Sequence, residues 1–179
     1  GKMQLLEVPY PNLGPGMVLV RNHFSAISAG TEGKTVNDAR LGYIAKARAR
    51  KQEVKKVVKS VRTFGLSDTY KMVMNKLEAP SALGYSTAGT VIAVAEDVRH
   101  LRVGDRVACA GGSAVHAEVV AVSENLCARV SDEVALDQAS LTTLAAIALQ
   151  GVRLADVGLG GNAVVIGLGL IGKITMMLL

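Results

Sequence analysis

Asn162-Ala163-Val164-Val165-Ile166-Gly167-Leu168-Gly169-Leu170-Ile171-Gly172 is the stretch on which the reading of this chain turns. Its glycines are spaced G-x-G-x-x-G. They stand between a continuous apolar run and Lys173-Ile174-Thr175-Met176-Met177-Leu178-Leu179, which reads as a helix. Such an apolar run suits a parallel strand buried on both faces. Each glycine then has its own reason. Gly167 allows a tight strand-to-helix turn, Gly169 lets a diphosphate approach bare backbone amides, and Gly172 lets the helix lie close to the strand. The helix amino terminus adds free N–H groups and partial positive charge. Gly167, Leu168, Gly169, Leu170, Ile171 and Gly172 therefore form the candidate cofactor-binding segment, for NAD or NADP. The competing reading is a glycine-rich structural turn, since glycines cluster in many loops. An acidic residue about 20 positions further on would mark a ribose contact, but only seven residues follow Gly172. One βα unit alone is expected to bind cofactor weakly or not at all.

Upstream of this segment, Asp137 to about Leu154 reads as one Ala/Leu-rich helix capped by Asp137. Before it come short runs with strand character: Ala88–Val94, Asp105–Ala110, His116–Val122 and Cys127–Val130, with glycine-marked turns between them. Short strands so punctuated suggest a small barrel. Near the amino terminus, Met3–Val8 reads as a short strand and Met17–Phe24 as a longer one, separated by a loop rich in Pro and Gly. Residues 34–82 look helical. Val54, Val57, Val58 and Val61 fall at i, i+3, i+4 and i+7 with lysines on the other faces, Gly65 ends that helix, and Ser67-Asp68 starts another that runs through Leu77 to a bound at Pro80. The fold expected is mainly β with helices. A barrel domain spans 1–135 with a helical insert at 34–82, a connecting helix spans 136–160, and 161–179 opens a truncated dinucleotide-binding domain.

Composition narrows the classes further. Aromatic residues make up 3% of the 179 and tryptophan is absent, so the core must come from Val, Leu, Ile and Ala. No apolar run approaches the 18 or so residues of a membrane span. The first residues carry charge and offer no small-residue cleavage site, so no signal peptide is expected. Two cysteines, Cys109 and Cys127, are too few for a disulfide framework and suit a reducing cytoplasm. The net charge of +5 is concentrated: Arg40 to Arg62 holds nine of the 20 basic residues, with Glu53 the only acid. That segment has Tyr43 alone for base stacking, and its valine stripe reads as a helix docked on one face with the other in water, which points away from nucleic acid.

The chain as a whole resembles the medium-chain dehydrogenase/reductase superfamily. The landmarks are Ser25-Ala26-Ile27-Ser28-Ala29-Gly30-Thr31-Glu32, Leu83-Gly84-Tyr85-Ser86-Thr87-Ala88-Gly89, Val98–Val107 and the closing Val165–Gly172. The resemblance implies a GroES-like barrel followed by the first βα unit of a Rossmann fold, and hydride transfer between NAD(P) and a carbonyl or alcohol. The basic insert and the Gly-Tyr-Ser segment resemble one branch, the zinc-less dehydrogenase half of bi-domain oxidoreductases found in polysaccharide clusters, which implies a sugar-like substrate. Zinc members of the superfamily hold the metal with a Cys, a His and a Cys or acid. The matching positions here are Ser28 and Ala29, then Tyr85 and Ser86, then the neighbourhood of Thr142-Thr143. Gly111-Gly112-Ser113 stands where the four-cysteine lobe would be. Catalytic zinc needs about three N, S or carboxylate ligands, and Cys109 with His116 supplies only two, so no metal site is expected.

Without a Lewis acid, hydrogen-bond donors must polarise the substrate oxygen. Tyr85 is the first candidate, with Ser28 and Ser86 behind it; against this, Tyr85 reads equally well as a packing residue whose hydroxyl meets backbone. Thr143 resembles a nicotinamide-side position, or is a helix threonine bonding its own backbone. Glu32 reads as a solvated loop acid, and His23, His100 and His116 as isolated. The alternative function is a truncated, non-catalytic barrel that self-associates as a homodimer, because an apolar strand without neighbours has open edges.

Overall fold

The computed structural model describes residues 3–40, 65, 67–75, 80–158 and 160–179. They fall into two compact units: residues 3–7 with the described part of 28–82, and residues 8–27 with 83–179. The valine-striped helix expected over 54–61 and the end of its successor at Leu77 lie outside the described residues. Among those described, no helix is long and apolar enough to cross a membrane.

The larger unit is built on a five-stranded antiparallel sheet. Its strands are β1 (Met17–Ser25), β2 (Ser86–Val94), β3 (Arg106–Ala110), β4 (Val119–Ser123) and β5 (Cys127–Arg129), in the order β4-β1-β2-β3-β5. A turn at Gly14-Pro15-Gly16 launches β1: Pro15 presets its first corner, Gly16 supplies φ +65° at the second, and Met17 N–H returns to Gly14 O at 3.2 Å. The edges of the sheet, β4 and β5, are separated in sequence only by the 3-10 turn Glu124–Leu126. Five flat strands about 4.8 Å apart would hold their edges about 19 Å apart. Three residues of 3-10 helix advance only about 6 Å. The sheet is therefore rolled toward a barrel, and two irregularities in the β1–β2 register, between Leu19 and Val20 and between Asn22 and Phe24, add the local twist that rolling needs.

Valines fill the inside. Val18, Val20, Val91, Val107, Val120 and Val122 cluster with Cys109, and Val98, Leu101 and Ala114 join them from the loops. On the other face, Ala88 and Ala108 meet Ala139, three small side chains that let a helix settle close to the sheet. Gly89 shows how tight the ladder is: a Cβ there would stand 2.0 Å from Arg21 O.

Several expectations need correction. Met3–Val8 forms no strand; Met3, Leu5 and Val8 are exposed, and Pro9 and Pro11 immediately after deny the segment a continuing ladder. The third strand starts at Val119 rather than His116, because His116 turns its backbone to Leu83 O instead. The single helix expected from Asp137 is two, α3 (Leu136–Ala139) and α4 (Thr142–Ala155). Ser140 Oγ donates to Asp137 O at 2.6 Å and Thr142 Oγ1 to Ala139 O at 2.7 Å. Those carbonyls are engaged by hydroxyls three residues on, and the axis breaks there. Asp137 is not the cap: Ala135 holds that position, and Asp137 lies in the first turn.

The run Ala163–Ile166 also departs from the buried strand its sequence suggests. Residues 161–168 join no ladder, and Val164 and Ile166 are 87% and 96% exposed. In the smaller unit, helix α1 (Ala29–Arg40) begins five residues before the helical region expected at 34, and residues 67–75 form α2.

Candidate active site

The glycine turn forms without the strand expected before it, since residues 161–168 join no ladder, but two of its glycines have a backbone reason to be there. Gly167 takes φ +99°, a left-handed value that strains any side chain. A Cβ on Gly172 would lie 1.9 Å from Gly167 O, so the turn and the helix are in direct backbone contact. Gly169 is different: nothing lies within 4 Å of where its Cβ would be, and its φ of −67° suits any residue. Helix α5 (Leu170–Leu178) starts there, with Gly169 as its cap and no side chain bonding its first N–H groups. The first intrahelical bond, Lys173 N–H to Gly169 O at 2.9 Å, leaves the N–H groups of Leu170, Ile171 and Gly172 without an acceptor in the helix. Bare amides over open space at a helix amino terminus form a cradle for an anionic group. Lys173 stands exposed in that first turn, a cation the motif reading passed over.

The second part of the site lies where β1 and β2 meet the loops. Tyr85 is half-buried just before β2, and its carbonyl accepts from Gly111 N–H at 3.0 Å. Ser86 is buried, and its hydroxyl donates to Ser140 O at 2.5 Å. That bond joins the Tyr85 segment to the α3–α4 junction, immediately before Thr142 and Thr143, and α4 in turn packs on α5. Thr143 Oγ1 is buried with no hydrogen-bond partner among the described residues, an orphaned polar atom at the residue expected to face a nicotinamide. Both the glycine cradle and this hydroxyl fit a dinucleotide.

Ser28 belongs to the smaller unit, where its Oγ accepts from Thr31 N–H at 3.4 Å and its own N–H donates to Glu32 Oε1 at 2.8 Å. The reciprocal pair caps α1, one residue wider than the usual S-x-x-E spacing. Glu32 is thus a buried capping acid, not a solvated one.

Sequence reasoning missed His116. It is not isolated: its Nδ1 is 2.8 Å from Ser25 Oγ, and a Cβ on Gly84 would come within 3.0 Å of its ring, so glycine beside Tyr85 is what admits it. Only the glycine at position 84, φ +99°, hinted at a close approach there. His23 likewise meets Thr90 Oγ1 at 3.2 Å. Among the described residues, no three His, Cys, Asp or Glu side chains gather as a metal site would require.

Comparison with known proteins places this architecture. Residues 53–132 match the alcohol dehydrogenase GroES-like domain. The chain is 30% identical over 122 residues to (R,R)-butanediol dehydrogenase of Bacillus subtilis (strain 168), covering 55% of this chain and 35% of that protein. Against sorbitol dehydrogenase of Bos taurus it is 24% identical over 205 residues, covering 99% of this chain and 49% of the relative. Galactitol-1-phosphate dehydrogenase from Escherichia coli superposes with a TM-score of 0.68 at 16% identity, over 98% of this chain and 48% of that one. The chain spans half or less of the length of these proteins. The fold is alcohol-dehydrogenase-like: a mainly β, GroES-like sheet unit accompanied by helices.

Proposed function

We propose that this chain contributes the barrel and the cofactor turn of an oxidoreductase that moves hydride between NAD(P) and a carbonyl or alcohol of a small, sugar-like substrate, without zinc. The observation that carries the reading is the pairing of Gly167 and Gly172 in direct backbone contact with an open Gly169 at the head of α5. Gly167 is called for by its φ of +99° and Gly172 by its close contact, whereas neither backbone conformation nor packing calls for glycine at Gly169, which leaves room there for an approaching ligand. Relatives named for butanediol and sorbitol support the substrate class.

When bound, the nicotinamide supplies the hydride acceptor or donor. The amides of Leu170, Ile171 and Gly172 would hold its diphosphate, with Lys173 adding charge, and Thr143 Oγ1 would find its missing partner on the cofactor. Tyr85 would donate a hydrogen bond to the substrate oxygen, doing by its hydroxyl what a metal does elsewhere. The Ser25–His116 couple next to Gly84 would carry the proton between that oxygen and water. Ser86 positions Tyr85 by anchoring the start of β2 to Ser140. The donor types at Ser28, Tyr85, Ser86 and Thr142-Thr143 are hydroxyls, which are poor zinc ligands, and this supports the zinc-independent reading. Fluorescence titration of the whole protein with NADH and with NADPH tests the proposal; quenching by neither removes it.

A second reading has its own observation. The side chains of Val164 and Ile166 are almost wholly exposed on a segment with no ladder partner, and self-association of the chain would cover them. Light scattering behind size exclusion separates the two: a clean monomer that binds NADH leaves the oxidoreductase reading alone.

A further inference from the structure

Two thiols outside the site described above face each other across the sheet. Cys109 on β3 and Cys127 at the start of β5 are direct partners in the antiparallel register. Val130 N–H donates to Arg106 O at 2.9 Å, so the alternation of the ladder makes Cys109 and Cys127 a non-hydrogen-bonded pair, in which Cα atoms approach to about 4.5 Å. That is inside the range of about 4.4 to 6.8 Å spanned by disulfides. Their Sγ atoms are 3.7 Å apart, and both are free. Side-chain rotation, with little backbone movement, can close this to the roughly 2.05 Å of a sulfur–sulfur bond.

Access separates the two. Cys109 is 1% exposed and belongs to the valine core. Cys127 is half-buried and lines a cavity of about 400 Å³ with His100, Leu101, Glu124, Asn125 and Arg129. Their ionisation is divided the same way. The hydrogen bond to Cys127, then burial, holds the Cys109 proton in place and raises its pKa. That bond lowers the pKa of Cys127, against the opposing pull of burial and of the Glu124 carboxylate. Cys127 is therefore the thiol that ionises first, and the thiolate is the nucleophile.

We propose that Cys127 is a peroxide-reactive thiol reached through this cavity and that Cys109 is its resolving partner, so that a hydroperoxide converts the pair to an intrachain disulfide. The Cys127 thiolate attacks the terminal oxygen of the hydroperoxide, the O–O bond breaks, and the departing alkoxide takes a proton from water to leave as an alcohol. Cys127 is now a sulfenic acid. The Cys109 sulfur displaces its hydroxyl, the S–S bond forms, and the hydroxyl leaves with the Cys109 proton as water. The two thiols lose two electrons and the peroxide gains them. The new bond staples β3 to the edge strand that directly follows the 3-10 turn, at the seam of the rolled sheet. In a reducing compartment such a bond is transient and suits sensing.

The reduced, unaltered chain treated with hydrogen peroxide and mapped by non-reducing peptide mass spectrometry is expected to yield a Cys109–Cys127 crosslink within one chain, reversed by dithiothreitol. With dimedone present, Cys109→Ser is expected to trap a sulfenic acid at Cys127, and Cys127→Ser to take up label on Cys109 at least tenfold more slowly. Both variants are compared at matched far-UV circular dichroism, and the unaltered chain decides the matter if either fails to fold. A crosslink only between chains overturns the proposal. So does oxidation of Cys127 to sulfinic acid with Cys109 still reduced when the unaltered chain is treated without dimedone, or labelling of Cys109 first.

Discussion

At the scale of single residues, the three glycines of the turn separate by backbone angle and by what a methyl group would strike: Gly167 by its φ of +99°, Gly172 by close contact, Gly169 by neither. Gly172→Ala pushes a Cβ into Gly167 O, and the expected result is loss of hydrogen-exchange protection in α5, with a local cost of about 1–3 kcal/mol. Gly169→Val meets nothing and adopts an ordinary φ. It is expected to leave melting unchanged while weakening NAD(P) binding by the whole protein about tenfold, about 1.4 kcal/mol, as read by fluorescence titration. Equal losses of stability in both variants would return the turn to a purely structural role. Tyr85→Phe keeps the ring and removes the donor. In the whole protein it is expected to lower kcat about 100-fold with little change in KM; an unchanged kcat would hand the oxygen to another group. The glycine spacing was legible because two backbone requirements, the φ of +99° at Gly167 and the close contact at Gly172, leave a mark in the sequence. His116 was not, because its partner Ser25 is 91 residues away and only the fold brings the two together.

At the scale of elements, the hydroxyls decide where helices stop and start. Ser86 Oγ ties β2 to the α3–α4 junction, so Ser86→Ala leaves Ser140 O without that donor in a buried place. The expected destabilisation is about 1–3 kcal/mol in urea unfolding, and a variant as stable as the original would show the bond to be incidental. Ser28→Ala removes the α1 cap at an expected cost of about 1 kcal/mol, visible as reduced exchange protection in residues 29–33 alone. Short strands were readable from β-branched residues and glycine turns, so β2, β3 and β5 lie within two residues of expectation at each end. The break between α3 and α4 was not, since Ser and Thr in a helical pattern do not announce which carbonyl they will take. The apolar run Ala163–Ile166 reads as a strand, yet a strand exists only where a neighbour pairs with it, and residues 161–168 have none.

At the scale of the molecule, one valine cluster holds the rolled sheet together. Val91 is 1% exposed and packs at the centre of it. Val91→Ala is expected to cost about 2 kcal/mol of sheet-unit stability by chemical denaturation; a loss below half of that would mean the barrel interior can collapse around the gap. By itself the sequence determined the alternation of small apolar residues that makes a sheet, and the glycines that make the turn into α5. It also determined that Ser28, Tyr85, Ser86, Thr142 and Thr143 carry hydroxyls. These are local matters, written in spacing and side-chain chemistry. Only the tertiary structure decided that Glu124–Leu126 closes the two sheet edges on each other and that Cys109 faces Cys127. It alone set His116 beside Ser25 and engaged Ser28 with Thr31 and Glu32 at the start of α1. Each of these depends on which distant segments become neighbours, and nothing in the spacing of residues along a chain records that.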